Sequence, residues 1–533
     1  MEKKLLILLS LCVTSGYAQK MPLPGVQTND IPKTVTLSRD VLLDKIRGGW
    51  VGKSYGVSFG GPTEFKYEGK IIEGPLKLNP RGLGRLKGQD DMYVNMALLK
   101  ALVDNGIEAT SADFAKEFAY GGFGLWHANG QGRQNILLGI PPERSGHPLY
   151  NPHAEDIDFQ IECDFIGLVC PGLPQAALDI CDRAGHIMNY GDGVYGGYFV
   201  TAMYAAAFIH DDAQTIVQAG FQALPKGSGY AKIIKDVIEW HKQYPNDWKK
   251  TWQEIEDKYN NDLCPWGVHT KFNIQARFNG AYIALGLLYG EGDLEKTVEL
   301  STRCGQDSDC NPANAGGIIG TMLGLKNLPE KITAALAPHM NTDFNFTPFS
   351  IESASKECLR LALDNITANG GTVSGDGIRI KVQSFETDRD AEIAFPTLSP
   401  VDRFYVTDGR LKWTGNWKQK DHRKTTQILR SSSQTGDSLE VDFTGNAVYV
   451  QGAPLFDQGI LESFVDGKSM GTRDMYMPKV WKNGSQMTAV WITGLPDGKH
   501  TLKVVVTGKK NEKSEGIGIT LGKVVTYSGE IAK

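Results

Sequence analysis

The chain has 533 residues, 41% hydrophobic and 22% charged, with 56 basic against 61 acidic residues and a net charge of −5. That length exceeds one ordinary domain and predicts two or three. Acids and bases are interspersed and no sustained low-complexity tract occurs, which excludes a basic nucleic-acid-binding face and a disordered chain.

Residues 1–18 read as an export signal. MEKK is a basic start, LLILLSLCV an apolar core too short to span a bilayer, and GYA, ending at Ala18, offers small residues for cleavage. Leu11, not a small residue, precedes Cys12, which argues against a lipid anchor. No later run reaches about 18 apolar residues, so no membrane span is expected. The expected location is periplasmic or extracellular. Beyond Cys12 the cysteines are Cys163, Cys170, Cys181, Cys264, Cys304, Cys310 and Cys358. Their odd number, in a chain large enough to need no staples, argues against a disulfide framework, although one or two bridges stay open.

Residues 30–365 read as a mostly helical domain. A first helix is expected to begin near Ser38, with Asp40 in its first turn and Val41, Leu42, Ile46 and Trp50 on one face. A second starts at Asp90 and Asp91, carries Met96, Leu99, Leu102 and Val103, and stops at Gly106. Residues 175–210 read as an alanine-rich helical pair, and 276–290 repeat that style. Helices this rich in small residues pack closely and predict a many-helix core. The texture changes after residue 365: residues 366–399 read as a connector with at least one strand, IRIKV. LEVDF (439–443), AVYVQG (447–452), SFVDGK (463–468) and LPDGKHTLKVVVTG (495–508) then alternate between Asp-Gly turns. Residues 400–533 are therefore expected to form an antiparallel β-sandwich.

The chemistry concentrates in two stretches. GQDSDCNPANAGG (305–317) sets Asp307 and Asp309 two apart before a helix, with Asn311 as the expected N-cap and Pro312 as the first helical residue. GQDD (88–91) repeats the arrangement with Asp90 and Asp91. One pair is explained by capping; two pairs point to a hard cation, Mg²⁺ or Ca²⁺, which takes oxygen ligands.

A third stretch, DKIRGGWVGKSYGVSFGGPTEF (44–65), resembles the opening motif of the ADP-ribosylglycohydrolase family. QDDM (89–92) resembles that family's Thr-Asp-Asp-Thr, and DSDC (307–310) with GGIIGTMLG (316–324) its Asp-x-Asp-Thr helix. The likeness spans about residues 40–330. It implies an all-α, orthogonally packed fold, one or two divalent ions, and cleavage of N- or O-glycosidic bonds. It makes Asp90, Asp91, Asp307 and Asp309 metal ligands, with Gln89 able to add an amide oxygen, and places Glu64 beside the anomeric centre of a substrate. The chain departs from the pattern at Gln89, Met92 and Cys310, where the family has Thr, and at Val57, where Asp is common. Met and Cys are soft ligands, poorly suited to Mg²⁺. One of two metal positions is therefore expected to be weakened, leaving excess negative charge and an Asp able to serve as acid or base.

Between these motifs, residues 125–135, 151–165 and 189–197 mix acids, His, Asn and Arg with aromatics and glycines, a composition suited to sugar hydroxyls and ring faces. His127, Asn129, Arg133, His153, Asp156, Glu162 and Tyr195 are candidate substrate contacts, together with Asp158. Asp164 and Asp192 are candidate catalytic acids beside Glu64. FDQGILESFVDGK (456–468) and LPDGKHTLKVVVTGKKN (495–511) resemble the galactose-binding-like sandwiches attached to exported glycoside hydrolases. Trp413, Trp417, Trp481 and Trp491 are there either sugar platforms or packing. The expected protein is an exported, metal-dependent glycoside hydrolase of an extracellular carbohydrate. The alternatives are a non-catalytic sugar-binding protein and an extracellular ADP-ribosyl hydrolase.

Overall fold

In a computed structural model describing residues 32–421, 428–479 and 487–533, the helix Arg39–Gly60 starts where the sequence places it. The Ser38 hydroxyl caps it, accepting from Val41 N–H at 3.2 Å. Leu42, Ile46 and Trp50 are fully buried, but Val41, expected on the same face, is exposed. The signal-like residues 1–18 and Trp481 lie outside the described residues.

Gly48, Gly52, Gly56 and Gly60 recur every fourth residue and form one stripe of this helix. The helix Cys310–Leu323 lies across that stripe. A Cβ added to Gly48 would stand 2.2 Å from Gly320 O, one on Gly52 2.1 Å from Gly316 O, one on Gly56 2.1 Å from Pro312 O, and one on Gly60 1.9 Å from Ser308 O. The two backbones therefore touch, which any side chain would prevent. This contact fixes residues 305–309 against the chain leaving the first helix, and so sets Asp307 and Asp309 beside Glu64.

The expected helices follow at Asp90–Asn105, Pro174–Gly185, Asp192–Ala207 and Ala276–Gly290, and the helical region closes with Ile351–Ala368. The strand Thr34–Ser38, absent from the sequence expectations, joins Gly377–Lys381 and Thr372–Ser374 in a three-stranded sheet with Val35 opposite Ile380. Among the described residues all seven cysteines are free and buried.

The sandwich has a five-stranded sheet in the order Lys468–Asp474, Ile460–Val465, Gly498–Val506, Ser438–Gly445, Lys412–Thr414. Opposite it run Met487–Ile492, Ala447–Gly452, Ile519–Ser528, Ile428–Ser432 and Lys418–Asp421, with Ser399–Phe404 also paired to Ile519–Ser528. Leu439, Val441 and Phe443 alternate inward along one strand. Ala447–Gly452 is instead buried at every position. Its outer face is covered by the helical region: Tyr449, Val525 and Tyr527 pack with Val268, and the Tyr527 hydroxyl donates to Leu263 O at 3.1 Å.

This docking answers the question about the tryptophans. Trp491 Nε1 donates to Pro148 O at 2.8 Å, so it joins the two regions rather than facing a ligand. Trp413 and Trp417 stack edge-on at 4.9 Å, partly buried against the sandwich core.

The glycine contact predicts that Gly56→Ala costs about 3 kcal/mol or more, at the upper end of overpacking, because the obstacle is backbone. Gly84→Ala, where a Cβ meets nothing within 4 Å, is expected to cost nothing. Thermal melting of the two variants checks this; equal melting temperatures would contradict the close contact.

Candidate active site

Both acid pairs sit at helix starts, and neither is used as a cap. Asp90 and Asp91 occupy the first turn of Asp90–Asn105, and Gln89 before them makes no side-chain capping bond. In Cys310–Leu323 the cap position belongs to Asp309, whose carboxylate likewise makes no capping bond. Asn311, expected as the cap, lies inside the helix and donates across to Asn279 Oδ1 at 2.9 Å, which leaves Pro312 as the third helical residue. The Asp309 carboxylate is thus free to face the site.

One carboxylate oxygen each from Glu64, Asp307 and Asp309 lies within 4.8 Å of the others, and so do ligand atoms of Asp91, Asp309 and Cys310. Backbone and hydroxyl contacts lace the two loops: Thr63 Oγ1 meets Ser308 Oγ at 2.8 Å, and Phe65 N–H donates to Gln306 O at 3.1 Å. Phe65 (φ 49°) and Gln306 (φ 54°) are both held in left-handed backbone, an uncommon state for such residues that concentrates at functional sites.

The electrostatics of this cluster call for a cation. The Asp309 charge, and then burial, push the Glu64 carboxyl well above the usual range. Burial, with neighbouring acids, does the same to Asp307 and Asp309, and lifts Asp91 to about 7. Lys53 Nζ comes to 3.9 Å from Asp91, but its close contacts are Asp164 Oδ2 at 2.8 Å and Ile161 O at 2.9 Å. Asp91 Oδ1 and Asp307 Oδ1 are buried with no hydrogen-bond partner. Orphaned carboxylate oxygens in an oxygen-rich set fit a hard divalent ion. Asp90, Asp91, Asp307 and Asp309, with Gln89 at the edge, are the residues that would hold it, and Glu64 stands beside them. Cys310, 3.3 Å from Asp91 Oδ2, is the soft exception, and Met92 is buried in the core.

The cluster lies at one side of a 1110 Å³ cavity. Trp126, Trp266, Phe272 and Tyr93 supply aromatic walls, with His127, Asn129 and Asp158 beside them. The sandwich completes the enclosure with Arg403, Tyr405, Thr407, Gln451 and Lys523. Lys523 is buried over the Trp266 ring at 3.3 Å, and Arg403 donates to Trp266 O and Val268 O at 3.2 and 2.6 Å.

Several sequence candidates stand elsewhere. Asp164 is fully buried and held by Lys53, by the Tyr204 hydroxyl at 2.6 Å and by Asn314 Nδ2 at 3.1 Å. It neutralises an interior lysine and does not face the cavity, which corrects its catalytic reading. Asp192 accepts from Arg277 at 3.1 Å and from Tyr230 N–H at 3.0 Å, so it too is a structural acid. Arg133 is buried, donates to Phe123 O at 2.6 Å and Phe118 O at 2.9 Å, and braces that loop rather than a substrate. Tyr195 is tied by its hydroxyl to Glu392 N–H, away from the cavity. Glu162 is buried behind Asn129, whose Nδ2 donates to it at 2.6 Å. His153 and Asp156 are buried behind His127, 2.9 Å apart.

Lys53, Cys264 and Trp266 went unread in the sequence. A lone lysine inside GWVGKSYG, amid glycines and apolar or aromatic residues rather than other charges, was the legible sign of a buried cation. Nothing in the sandwich sequence announced which strands would reach the cavity.

A helical fold gathering carboxylates from two helix starts beside a third acid, at a deep cavity, defines a hydrolase-like class of site. The family model described as ADP-ribosylglycohydrolase matches residues 38–361, more than half of the chain, and the chain belongs to that family. Over 157 residues it is 27% identical to the "A type blood N-acetyl-alpha-D-galactosamine deacetylase" of Flavonifractor plautii, a span of 29% of this chain and 19% of that protein. The chain thus covers about a fifth of that relative's length. A solved "ADP-ribosylglycohydrolase-related protein complex" is 14% identical over 61% of this chain and 98% of its own, with a TM-score of 0.37. The carbohydrate-binding module CBM36, solved with calcium and xylotriose, is 12% identical over 24% of this chain and all of its own, with a TM-score of 0.17.

Protons and a cation compete for the same raised carboxyls, so divalent affinity should rise with pH. Calorimetric titration with Mg²⁺ or Ca²⁺ is expected to give tighter binding at pH 8 than at pH 5.5, on either side of the Asp91 value of about 7. Asp309→Asn should weaken it by about tenfold or more. Affinity that is flat across this range would contradict the site.

Proposed function

We propose that this chain is an exported, metal-dependent hydrolase that cleaves an N- or O-glycosidic bond of an extracellular carbohydrate. The observation that carries this reading is the position of Glu64: its carboxyl is raised, open to the cavity, and adjacent to Asp307 and Asp309. Glycosidic cleavage passes through an oxocarbenium-like state, which needs nearby negative charge, a proton donor for the leaving group and a water made nucleophilic. A divalent cation, when bound, supplies Lewis acidity and lowers the pKa of water.

The chain's own groups do the rest. Glu64, whose carboxyl the Asp309 charge and then burial raise well above the usual range, gives a proton to the leaving oxygen or nitrogen; once ionised it takes one from water. Asp307 and Asp309 stand beside Glu64, where they would hold the ion next to the reacting bond. Trp126, Trp266 and Phe272 offer ring faces for sugar C–H surfaces, and Tyr405 and Gln451 bring the sandwich into substrate selection. Export rests on the signal-like first 18 residues, and it favours an extracellular sugar over intracellular ADP-ribosyl protein.

A glycoside panel with Mg²⁺ or Ca²⁺ tests this. The wild type is expected to release reducing sugar, with little action on ADP-ribosyl-arginine. Glu64→Gln should lower kcat by about 10² to 10⁴ with KM little changed. Efficient release of ADP-ribose would overturn the substrate. Sugar binding without turnover would point to a non-catalytic protein, and release of acetate alone to the chemistry named for the Flavonifractor relative.

A further inference from the structure

Behind the aromatic wall, four side chains from three distant segments converge. His127 comes from the first turn of His127–Leu137, His153 and Asp156 from the loop before Asp158–Glu162, and Cys264 from the segment leading to Trp266. A single oxygen, Asp156 Oδ2, lies 2.9 Å from His153 Nδ1, 3.4 Å from His127 Nδ1 and 3.1 Å from Cys264 Sγ. Cys264 Sγ stands 3.3 Å from His153 Nδ1. One ligand atom from each of the four falls within 4.8 Å of all the others.

We propose that His127, His153, Asp156 and Cys264 form a four-ligand structural Zn²⁺ site, separate from the carboxylate cluster. In a tetrahedral shell with Zn–N and Zn–O near 2.0 Å and Zn–S near 2.3 Å, ligand atoms stand about 3.3–3.5 Å apart. The four separations above come within half an ångström of that edge. The ligand set differs from the acidic cluster in kind. Two imidazoles, a thiolate and one carboxylate suit zinc, whereas the oxygen-rich set suits Mg²⁺ or Ca²⁺.

Charge and position agree with this. Burial disfavours protonation of both imidazoles, so they are neutral donors. Burial also disfavours the ionised forms of Asp156 and Cys264; a bound dication would reverse this, and thiolate and carboxylate would balance its charge to zero. Binding exchanges the Cys264 Sγ–H bond for Sγ–Zn, and the proton leaves to solvent. Four protein ligands close the shell, which marks a structural rather than a catalytic ion. The ion would clamp the start of His127–Leu137 to the 153–156 and 264 loops. It would do so where Tyr449 of the sandwich packs edge-on against the His153 ring, at 6.1 Å. His127 already sits in left-handed backbone at φ 41°, with its ring stacked on Phe272 at 6.0 Å. The competing explanation is an Asp-His-thiol hydrogen-bond network, which holds similar distances without a metal.

The test is metal content of the full-length protein, produced with zinc and passed over a chelating resin, with Co²⁺ exchange as a second readout. About one zinc per chain is expected in the wild type and in Asp307→Asn, and less than about a tenth of that in Cys264→Ala and His153→Ala. The cobalt-exchanged wild type should show a thiolate-to-cobalt charge-transfer band that Cys264→Ser lacks. The band is read on the wild type, so misfolding of a variant does not remove the test. Wild type without zinc or cobalt band, or zinc lost in Asp307→Asn but kept in Cys264→Ala, would overturn the proposal in favour of the hydrogen-bond network. Either outcome leaves the glycosidase reading to its own assay.

Discussion

The close passage of Arg39–Gly60 over Cys310–Leu323 is the contact on which the rest of the molecule depends. Four glycines in one stripe let two backbones meet carbonyl to Cα. Everything at the far end of that contact inherits its precision. Gly60 abuts Ser308, Thr63 bonds Ser308, and Phe65 bonds Gln306. Three acids separated by some 240 residues of sequence are thereby held at one point, and the strain at Phe65 and Gln306 is tolerated because the surrounding contacts leave no alternative.

A second interior constraint supports the first. Lys53 rises from the same helix into a fully buried pair with Asp164, which Tyr204 and Asn314 also grip. Removing either partner would strand a charge at a cost of about 3–5 kcal/mol. The pair also sets a positive charge 3.9 Å from Asp91, enough to oppose part of the burial that raises its carboxyl but not enough to neutralise the cluster. The site is therefore built with uncompensated acid, the condition under which a hard cation binds and a carboxyl keeps a proton.

Much of this was legible in the sequence. The helices at Ser38, Asp90 and Ala276 show in cap residues and periodicity, because local signals decide where helices begin. The acids at 90, 91, 307 and 309 were legible because two unrelated helix starts carried carboxylates with no capping need. Asn311 misled for the same local reason: its propensity as a cap was overridden by a cross-helix bond to Asn279. Asp164, Asp192 and Arg133 were read as site residues, but a buried charge looks alike in sequence whether its partner is a substrate or an interior counter-ion. The strand Thr34–Ser38 and the sandwich wall were illegible because their partners lie hundreds of residues away.

The sandwich is a part of the cavity rather than an appendage: Arg403, Tyr405, Gln451 and Lys523 enclose what the helices leave open, and the docking face is buried on both sides. The most direct measurement of the whole account is crystallographic: anomalous scattering from crystals grown with saturating Mn²⁺. The account predicts one strong peak among Asp90, Asp91, Asp307 and Asp309, with a second position beside Cys310 weak or empty. No peak between those carboxylates would contradict the central claim, and two fully occupied peaks would contradict its one-ion form.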